Sequence, residues 1–416
     1  MESLCEELYR TYNTNLLDRE SNLTQAVFLG ASEKNKDKAQ GNTTLMRLIY
    51  NHYRVQKPMP RYIGGPKHVV HWYSKKYRKN IYVFGEIHSD ESTCDDYGDP
   101  VGTNPRGEMR MDKFLINMIK KTDVFLDIFL ESEPYTGKGK YSERVLEKRK
   151  NLNLISINTS IALDKCILYK SRHQKFCQLS RVHYVDTRDI DDGSDIFSEF
   201  MYRGYDIYSK EEEQEIINDP RYRPIFEAFS RETPNQAIRL IQKHLRKNSL
   251  VRKEIKRSYM SSTILSFVDK QLELRMKEKW KNIKEAMEHY STDPGQTISQ
   301  LTYIFEELLA PFMDAYTLSR IFKRFNLKKS PHGKKSVKFD QPDEARNIIT
   351  YTGLLHSDLY NAFFEHLGFT KMAEIGNSII FDESLNDMEM GGSLGESSYA
   401  CLEMINFPLP LFTTAS

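Results

Sequence analysis

Two histidines follow a glycine at the same spacing in two distant parts of the chain. Gly85-Glu86-Ile87-His88 and Gly353-Leu354-Leu355-His356 both have the pattern Gly-x-x-His, and each comes after a run rich in β-branched and aromatic residues. Imidazoles near carboxylates can bind a borderline metal ion, or they can act as acid and base in hydrolysis. Gly85 and Gly353 would let the chain turn tightly before each histidine. The recurrence therefore predicts one site to which both histidines contribute.

Two glutamates accompany the histidines. Glu86 lies inside the first motif, and Glu131 directly follows the apolar run 124–130. Two imidazoles and a carboxylate would bind a divalent cation such as Mn²⁺, Co²⁺ or Zn²⁺, and the remaining glutamate would act as general base on a bound water. Without a metal, His88 would be the base and Glu131 its orienting partner. The predicted metal ligands are His88, His356, Glu86 and Glu131.

An arginine is a further candidate for catalysis. Asp186-Thr187-Arg188-Asp189 follows the short β-rich run 182–185. Arg188 would stabilise an oxyanion that develops during hydrolysis. The alternative, which we favour, is that Arg188 simply pairs with Asp186 or Asp189.

These groups need a sheet that brings strand ends together. Runs typical of strands alternate with helical spacing, as in 111–119, where apolar residues share one helix face. This alternation predicts an α/β fold with a central, mostly parallel or mixed sheet that is flanked by helices. Ligands of such sheets bind beyond the carboxyl ends of the strands. The predicted strand ends that would meet there follow 81–84, 124–130, 182–185 and 348–352.

A long helical stretch interrupts this α/β pattern. Residues 194–345 have helical periodicity and a basic loop, and strand character returns after them, which predicts an inserted helical subdomain. The predicted segments around it are a mixed N-terminal segment at 1–60, the two parts of the core at 61–193 and 346–385, and an acidic flexible tail at 386–416. The apolar run 407–412 in that tail could dock on another surface.

One apolar helical pattern, from Ile298 to Phe322, contains charged residues. Asp314 and Arg320 would either point into the site or form a buried structural ion pair, and the sequence favours neither. Pro311 predicts that this helix is kinked or split, because proline lacks the amide hydrogen that an inner helical turn requires.

Composition excludes several classes of protein. The chain has 60 basic and 58 acidic residues, a net charge of +2, which argues against a protein built mainly to coat nucleic acid. No apolar run approaches the ~18 residues that cross a bilayer, and the N-terminal residues lack a secretory signal. Five scattered cysteines predict free thiols in a reducing compartment. We therefore expect an intracellular protein without a membrane partner.

A basic run supports a different class of function. Residues 319–338 carry eight lysines and arginines and no acidic residue, with Phe322 and Phe325 among them. Such a run could contact the phosphates of a nucleic acid or stack on its bases. We favour the simpler interpretation, in which a solvated helix end and loop pair with the acidic tail.

The two motifs resemble a known superfamily. Residues 85–88 resemble the N-terminal G-E-x-H signature of the ChaN-like, erythromycin-esterase-like and Tiki/TraB group. Residues 351–356, followed by Leu367-Gly368-Phe369, resemble its C-terminal G-x-x-H motif and the helix after it. Glu131 matches the acidic residue after the second core strand of the group, and 186–188 is more weakly similar to a D-x-R position. The resemblance covers roughly 66–190 and 345–385.

This resemblance implies an α/β fold with both histidine motifs at one site. The Tiki branch would make that site a divalent-metal-dependent protease, the erythromycin-esterase branch would use a histidine to activate water against a lactone ester, and the ChaN branch is associated with haem iron. We therefore expect a hydrolase of peptides or esters, and the alternative is a non-catalytic binding protein on the same scaffold. The chain departs from the group in its larger helical insertion and in lacking secretion or membrane segments. A looser likeness to proteins of large DNA viruses, not carried by particular residues, would imply the host cytoplasm.

Overall fold

The computed structural model describes most of the α/β core and of the helical insertion. The described residues are 62–86, 108–122, 124–131, 159, 163, 177, 179–186, 196–205, 209–247, 249–326, 342–376, 401–404, 407 and 411–412. All of them belong to one compact unit, Met59–Ser416.

Strands form at nine places in the described residues. They are β1 (Tyr62–Gly64), β2 (Pro66–Ser74), β3 (Lys79–Glu86), β4 (Glu108–Arg110), β5 (Leu126–Leu130), β6 (Ser180–Tyr184), β7 (Asn347–Gly353), β8 (Thr370–Gly376) and β9 (Cys401–Glu403). Six of them make a mixed sheet in the order β6-β5-β7-β3-β2-β8. Neighbours among β6, β5, β7 and β3 pair in parallel, whereas β2 pairs antiparallel with both β3 and β8. The predicted α/β class is thereby confirmed, including its mixed sheet.

Helices flank this sheet on both sides. They are α1 (Met111–Lys121), α2 (Ile196–Tyr205), α3 (Lys210–Asn218), α4 (Arg223–Phe229), α5 (Asn235–Lys247), α6 (Ser249–Arg257), α7 (Ser261–Glu288), α8 (Pro294–Ile321) and α9 (Leu354–His366). The helices α2–α8 lie between β6 and β7 in the chain. None of the helices in the described part of the chain is long and apolar enough to span a membrane.

The two faces of the sheet pack against different apolar clusters. On the insertion face, Val83, Phe129 and Ile348 contact the cluster of α2–α9. On the α1 face, Phe84 and Tyr351 contact the cluster that includes α1. Strands that are covered on both faces have nearly continuous apolar sequences, which is why β3, β5 and β7 are recognisable in the sequence.

Helix α8 is continuous across Pro311, so the predicted split does not occur, whereas the alternative of a kink stays a prediction. Proline cannot donate to the carbonyl of Glu307, one turn earlier. Arg275 of α7 donates to that carbonyl instead, at 3.0 Å. Every residue from Leu308 to Ser319 is buried, so α8 is the central helix of the insertion face.

Gly85 serves close packing and not a turn. A Cβ atom at this position would lie 2.3 Å from Oγ of Ser357 and 2.8 Å from Cδ2 of Leu354, both in α9. Gly353, the N-cap of α9, has a φ of −56°, which other residues also adopt. The glycines therefore do not provide the tight turns that the sequence suggests. Instead, Gly85 lets α9 lie directly on β3.

Part of the C-terminal segment is packed on the core. β9 pairs with β1 in a small sheet of order β4-β1-β9, and Leu402, Phe407 and Leu411 are buried. Phe407 and Leu411 belong to the apolar run that could dock. The expectation of a flexible tail therefore does not hold for these residues.

Two cysteines differ from the prediction. Cys177 and Cys401 are disulfide-bonded, and Cys177 is fully buried. The prediction of free thiols is therefore wrong for these two residues. They give no support to a reducing compartment.

Candidate functional site

The parallel strands β3, β7 and β5 end together at one edge of the sheet, which we call the carboxyl edge. Glu86 is in register with Gly353, and Leu130 is in register with Tyr351. Glu131 follows Leu130 and donates its amide hydrogen to the carbonyl of Tyr351 at 3.1 Å. The polar residues that follow these three strands therefore begin at nearly the same level.

His356 lies in the first turn of α9, directly after β7. Its Nε2 atom is 3.5 Å from Oε1 of Glu131, and its Nδ1 atom is 2.8 Å from Oδ1 of Asp314 in α8. The amide of Gly353 donates to Oε2 of Glu131 at 2.6 Å and so holds this carboxylate. The side chains of His356, Glu131 and Asp314 are at most 4% exposed. The imidazole thus lies between two buried carboxylates.

The two carboxylates determine the charge of His356. Burial by itself lowers the pKa of His356, but Asp314 and Glu131 outweigh burial and raise the pKa to about 9. The same carboxylates act on Tyr360. Burial raises the pKa of its phenol, and the negative charges of Asp314 and Glu131 raise it further. His356 is therefore an imidazolium at neutral pH, with a protonated nitrogen facing each carboxylate.

Glu86 lies at the carboxyl edge but on the α1 face. Its Oε2 atom accepts a hydrogen bond from the hydroxyl of Tyr351, whose ring belongs to the cluster on that face. Glu131 lies on the insertion face, because it comes one position after Leu130 and successive strand residues alternate between faces. The structure therefore brings Glu131 and His356 together. That Glu86 contributes to the same site stays a prediction.

Two candidates lie outside the described residues. His88 comes two positions after Glu86, and Arg188 comes two positions after Asp186. Their roles therefore stay predictions, and so does the complete metal set. Within the part of the chain that the structure describes, no group of three or more His, Cys, Asp or Glu side chains could hold a metal ion.

Of the three predicted metal ligands that the structure describes, two have donor atoms close to each other. Nε2 of His356 and Oε1 of Glu131 are 3.5 Å apart. Both atoms can reach one ion that binds each of them at ~2.0–2.2 Å. A metal-bound histidine usually donates its other ring N–H to a carboxylate, and Asp314 accepts such a bond here. The residues present therefore fit a borderline divalent cation with two described ligands.

A second buried histidine, His183, lies one residue before the end of β6, in register with Phe129 of β5. Its Nε2 atom is 2.8 Å from Oδ1 of Asp127, and its Nδ1 atom is 2.9 Å from Nη2 of Arg320. Arg181 donates two hydrogen bonds to Asp127, at 2.6 and 3.1 Å. Burial lowers the pKa of His183 to about 3 against the opposing effect of Asp127, and Arg320 lowers it further. His183 is therefore neutral and accepts a hydrogen bond from Arg320.

The described part of the basic run forms intramolecular pairs. Arg320 and Lys323 both pair with Glu254 of α6, and Arg324 pairs with Glu344 at 2.9 Å. Residues 327–338 of the run lie outside the described residues. The described contacts therefore give no support to a nucleic-acid partner.

Sequence reasoning finds only part of these two clusters. Asp314 and Arg320 contact two different histidines, so they are joined neither to each other nor to one site. Asp127 and Arg181 are missed altogether. The available signal is the spacing of Arg181 and His183, which share one face of a strand because they are two positions apart.

Comparison with known proteins does not identify a family. No protein-family model, no curated protein and no solved structure matches this chain. The resemblance therefore rests only on the two histidine motifs, on Glu131 and, in addition, on residues 367–369 and 186–188.

Proposed function

We propose that this chain is a metal-assisted hydrolase of peptides or esters, similar to the Tiki/TraB, erythromycin-esterase and ChaN group. The observation that carries the proposal is the buried contact of His356 with Glu131, at the ends of adjacent parallel strands. Buried charges are costly unless partners compensate for them. This contact lies where α/β sheets bind their ligands, which favours a functional role.

His356 and Glu131 would hold the cation through Nε2 and Oε1, after His356 has released its Nε2 proton. The bound cation would polarise a carbonyl group and lower the pKa of a water molecule to about 7. Asp314 would retain the Nδ1 proton of His356, and the amide of Gly353 would keep Glu131 in place. His88 is proposed as a further ligand of the cation.

Glu86 and Arg188 have supporting roles in this proposal. Glu86 would complete the ligand set or act as general base on water. Its hydrogen bond from Tyr351 would orient it at the carboxyl edge. Arg188 would stabilise the oxyanion.

A second candidate function is that of a non-catalytic binding protein. The observation that favours it is that His356 and Glu131 are paired with each other and are at most 4% exposed. A buried ion pair of this kind can serve structure alone. The fold does not decide between the two functions, because one scaffold can host either.

Hydrolysis assays on panels of peptides and esters test the leading proposal. The protein is first treated with a chelator and then supplied with Mn²⁺, Co²⁺ or Zn²⁺ separately. We expect metal-dependent turnover that falls by roughly 10²- to 10⁴-fold in Glu131→Gln and His356→Gln, the range for loss of an acid–base group.

Matched controls come from the same helix. Glu365 and His366 are exposed near the end of α9, so Glu365→Gln and His366→Gln should retain full turnover. Turnover that survives unchanged in His356→Gln would contradict the proposed site. Absence of both turnover and metal binding in the unaltered protein would favour the binding protein instead.

A further inference from the structure

Asp314 is an exceptional residue in its surroundings. It is the only charged residue between Leu308 and Ser319, and every residue of that stretch is buried. A buried carboxylate is strongly disfavoured unless a charge or hydrogen bonds compensate for it. Oδ1 of Asp314 lies 2.8 Å from Nδ1 of His356, and the hydroxyl of Tyr360 lies beside the same carboxylate.

Asp127 shows how a structural carboxylate is compensated in the same protein. It accepts two hydrogen bonds from Arg181 and contacts His183, so both of its oxygens are engaged. The ion pair of Asp314, in contrast, goes to His356 of the candidate site, and the hydroxyl of Tyr360 lies beside the same carboxylate. The difference indicates that Asp314 serves His356 more than it serves the stability of α8.

We propose that Asp314 is a positioning residue, which keeps Nδ1 of His356 protonated and directs Nε2 towards Glu131. This inference rests on the proposed function, because the orientation of Nε2 matters for catalysis only if His356 binds a metal through that atom. It also gives the helical insertion a role. α8 delivers Asp314 to an edge that β5, β7 and α9 otherwise build, so the insertion forms part of the site.

Nitrogen-15 NMR of the histidine rings tests this role in the chelator-treated full chain. In the unaltered protein at pH 7, we expect a protonated Nδ1 on His356 whose hydrogen is shifted downfield by its bond to Asp314. In Asp314→Asn, which keeps the shape and removes the charge, the ring signals of His356 should change. The affinity for Co²⁺ should fall by about 10- to 100-fold, as for other partners of metal-bound histidines.

Asp358→Asn is the matched control. Asp358 is also a buried aspartate near a histidine, since its Oδ1 atom is 3.9 Å from Nδ1 of His68. This variant should leave the His356 signals and the Co²⁺ affinity unchanged.

Two results would overturn the positioning role. The first is a set of His356 ring signals that is identical in Asp314→Asn and the unaltered protein. The second is an unprotonated Nδ1 in the unaltered protein, a measurement that does not require the variant to fold. If the ring signals behave as expected but no protein in the series hydrolyses any substrate, the proposed function fails and the positioning role stands.

Discussion

His356 and His183 are both buried on the insertion face of one sheet, yet they carry different charges. His356 has a carboxylate beside each ring nitrogen, and its pKa is about 9. His183 has a carboxylate on one side and a guanidinium on the other, and its pKa is about 3. Burial lowers the pKa of both imidazoles. The charges of the neighbouring side chains, and not depth alone, therefore decide the protonation state.

The partners of the two histidines match this difference. His183 belongs to a network in which Asp127, Arg181 and Arg320 compensate one another within the core. His356 lies at the carboxyl edge, where ligands of α/β sheets bind. Helix α8 reaches both, through Asp314 and Arg320. We infer that the His183 cluster attaches the insertion to the sheet, whereas the His356 cluster forms the proposed site.

Among the changes that test this comparison, Asp127→Ala in the His183 cluster should cause the largest loss of stability. The change leaves the buried guanidinium of Arg181 without its carboxylate, which typically costs ~3–5 kcal/mol of the free energy of unfolding. Urea denaturation measures it. The control is Glu227→Gln in the exposed pair with Arg223, which should cost less than about 0.5 kcal/mol. Equal losses in the two variants would show that the His183 cluster has no special structural role.

The pH dependence of stability should separate the two histidines. The pKa of His356 is raised above that of an unfolded histidine, ~6.5, so its contribution is fully present below that pH. This contribution is lost as the pH rises through 9. The pKa of His183 is lowered, so its contribution is present above pH ~6.5 and is lost as the pH falls towards 3.

Urea denaturation across this pH range checks the prediction with His356→Gln. The unaltered protein should lose roughly 3 kcal/mol between pH ~6.5 and 9 from this residue, at ~1.4 kcal/mol per pKa unit. The variant should lack that decline and keep the loss at acidic pH. A variant profile that runs parallel to that of the unaltered protein would refute the charge assigned to His356.

Gly85→Ala should disturb the carboxyl edge and leave the His183 cluster intact. The new methyl group would lie 2.3 Å from Oγ of Ser357, and overpacking of this kind costs roughly 1–3 kcal/mol. Adding Ser357→Ala removes the contacted oxygen and should recover part of the loss in thermal unfolding. An unchanged melting temperature in Gly85→Ala would mean that α9 does not pack closely on β3.

The smallest effect should come from Arg275→Ala. This change acts on α8, the helix that supplies a partner to each of the two histidines. It removes the donor to the Glu307 carbonyl and should cost about 1 kcal/mol. In a Pro311→Ala background the amide of residue 311 can donate to that carbonyl. Arg275→Ala should therefore lower the free energy of unfolding by less in that background. A double-mutant cycle by urea denaturation measures the difference. Equal costs in the two backgrounds would show that Pro311 does not create the need for Arg275.

The sheet was predictable because its central strands are covered on both faces. Their apolar runs are unmistakable in β3, β5 and β7, and the polar residues that follow mark the carboxyl edge. The edge strand β8 (Thr370–Gly376) was not predictable in this way. It is largely exposed and has no apolar run, so only its pairing with β2 defines it as a strand.

The histidine partners were less predictable than the strands. Asp314 is 42 positions from His356, and Asp127 is 56 positions from His183. Which face α8 turns towards the sheet depends on packing of the whole insertion, and the apolar stripe of α8 covers nearly its full circumference. The sequence therefore indicates that Asp314 is special without indicating its partner.

Direct titration of the two histidines tests the central claim most clearly. Nitrogen-15 NMR of the metal-free protein should show His356 protonated at pH 7 and titrating near pH 9. His183 should remain neutral well below pH 6. Two histidines that both titrate near the ordinary pKa of ~6.5 would contradict the account, because neighbouring charges would then not set the protonation state of either ring.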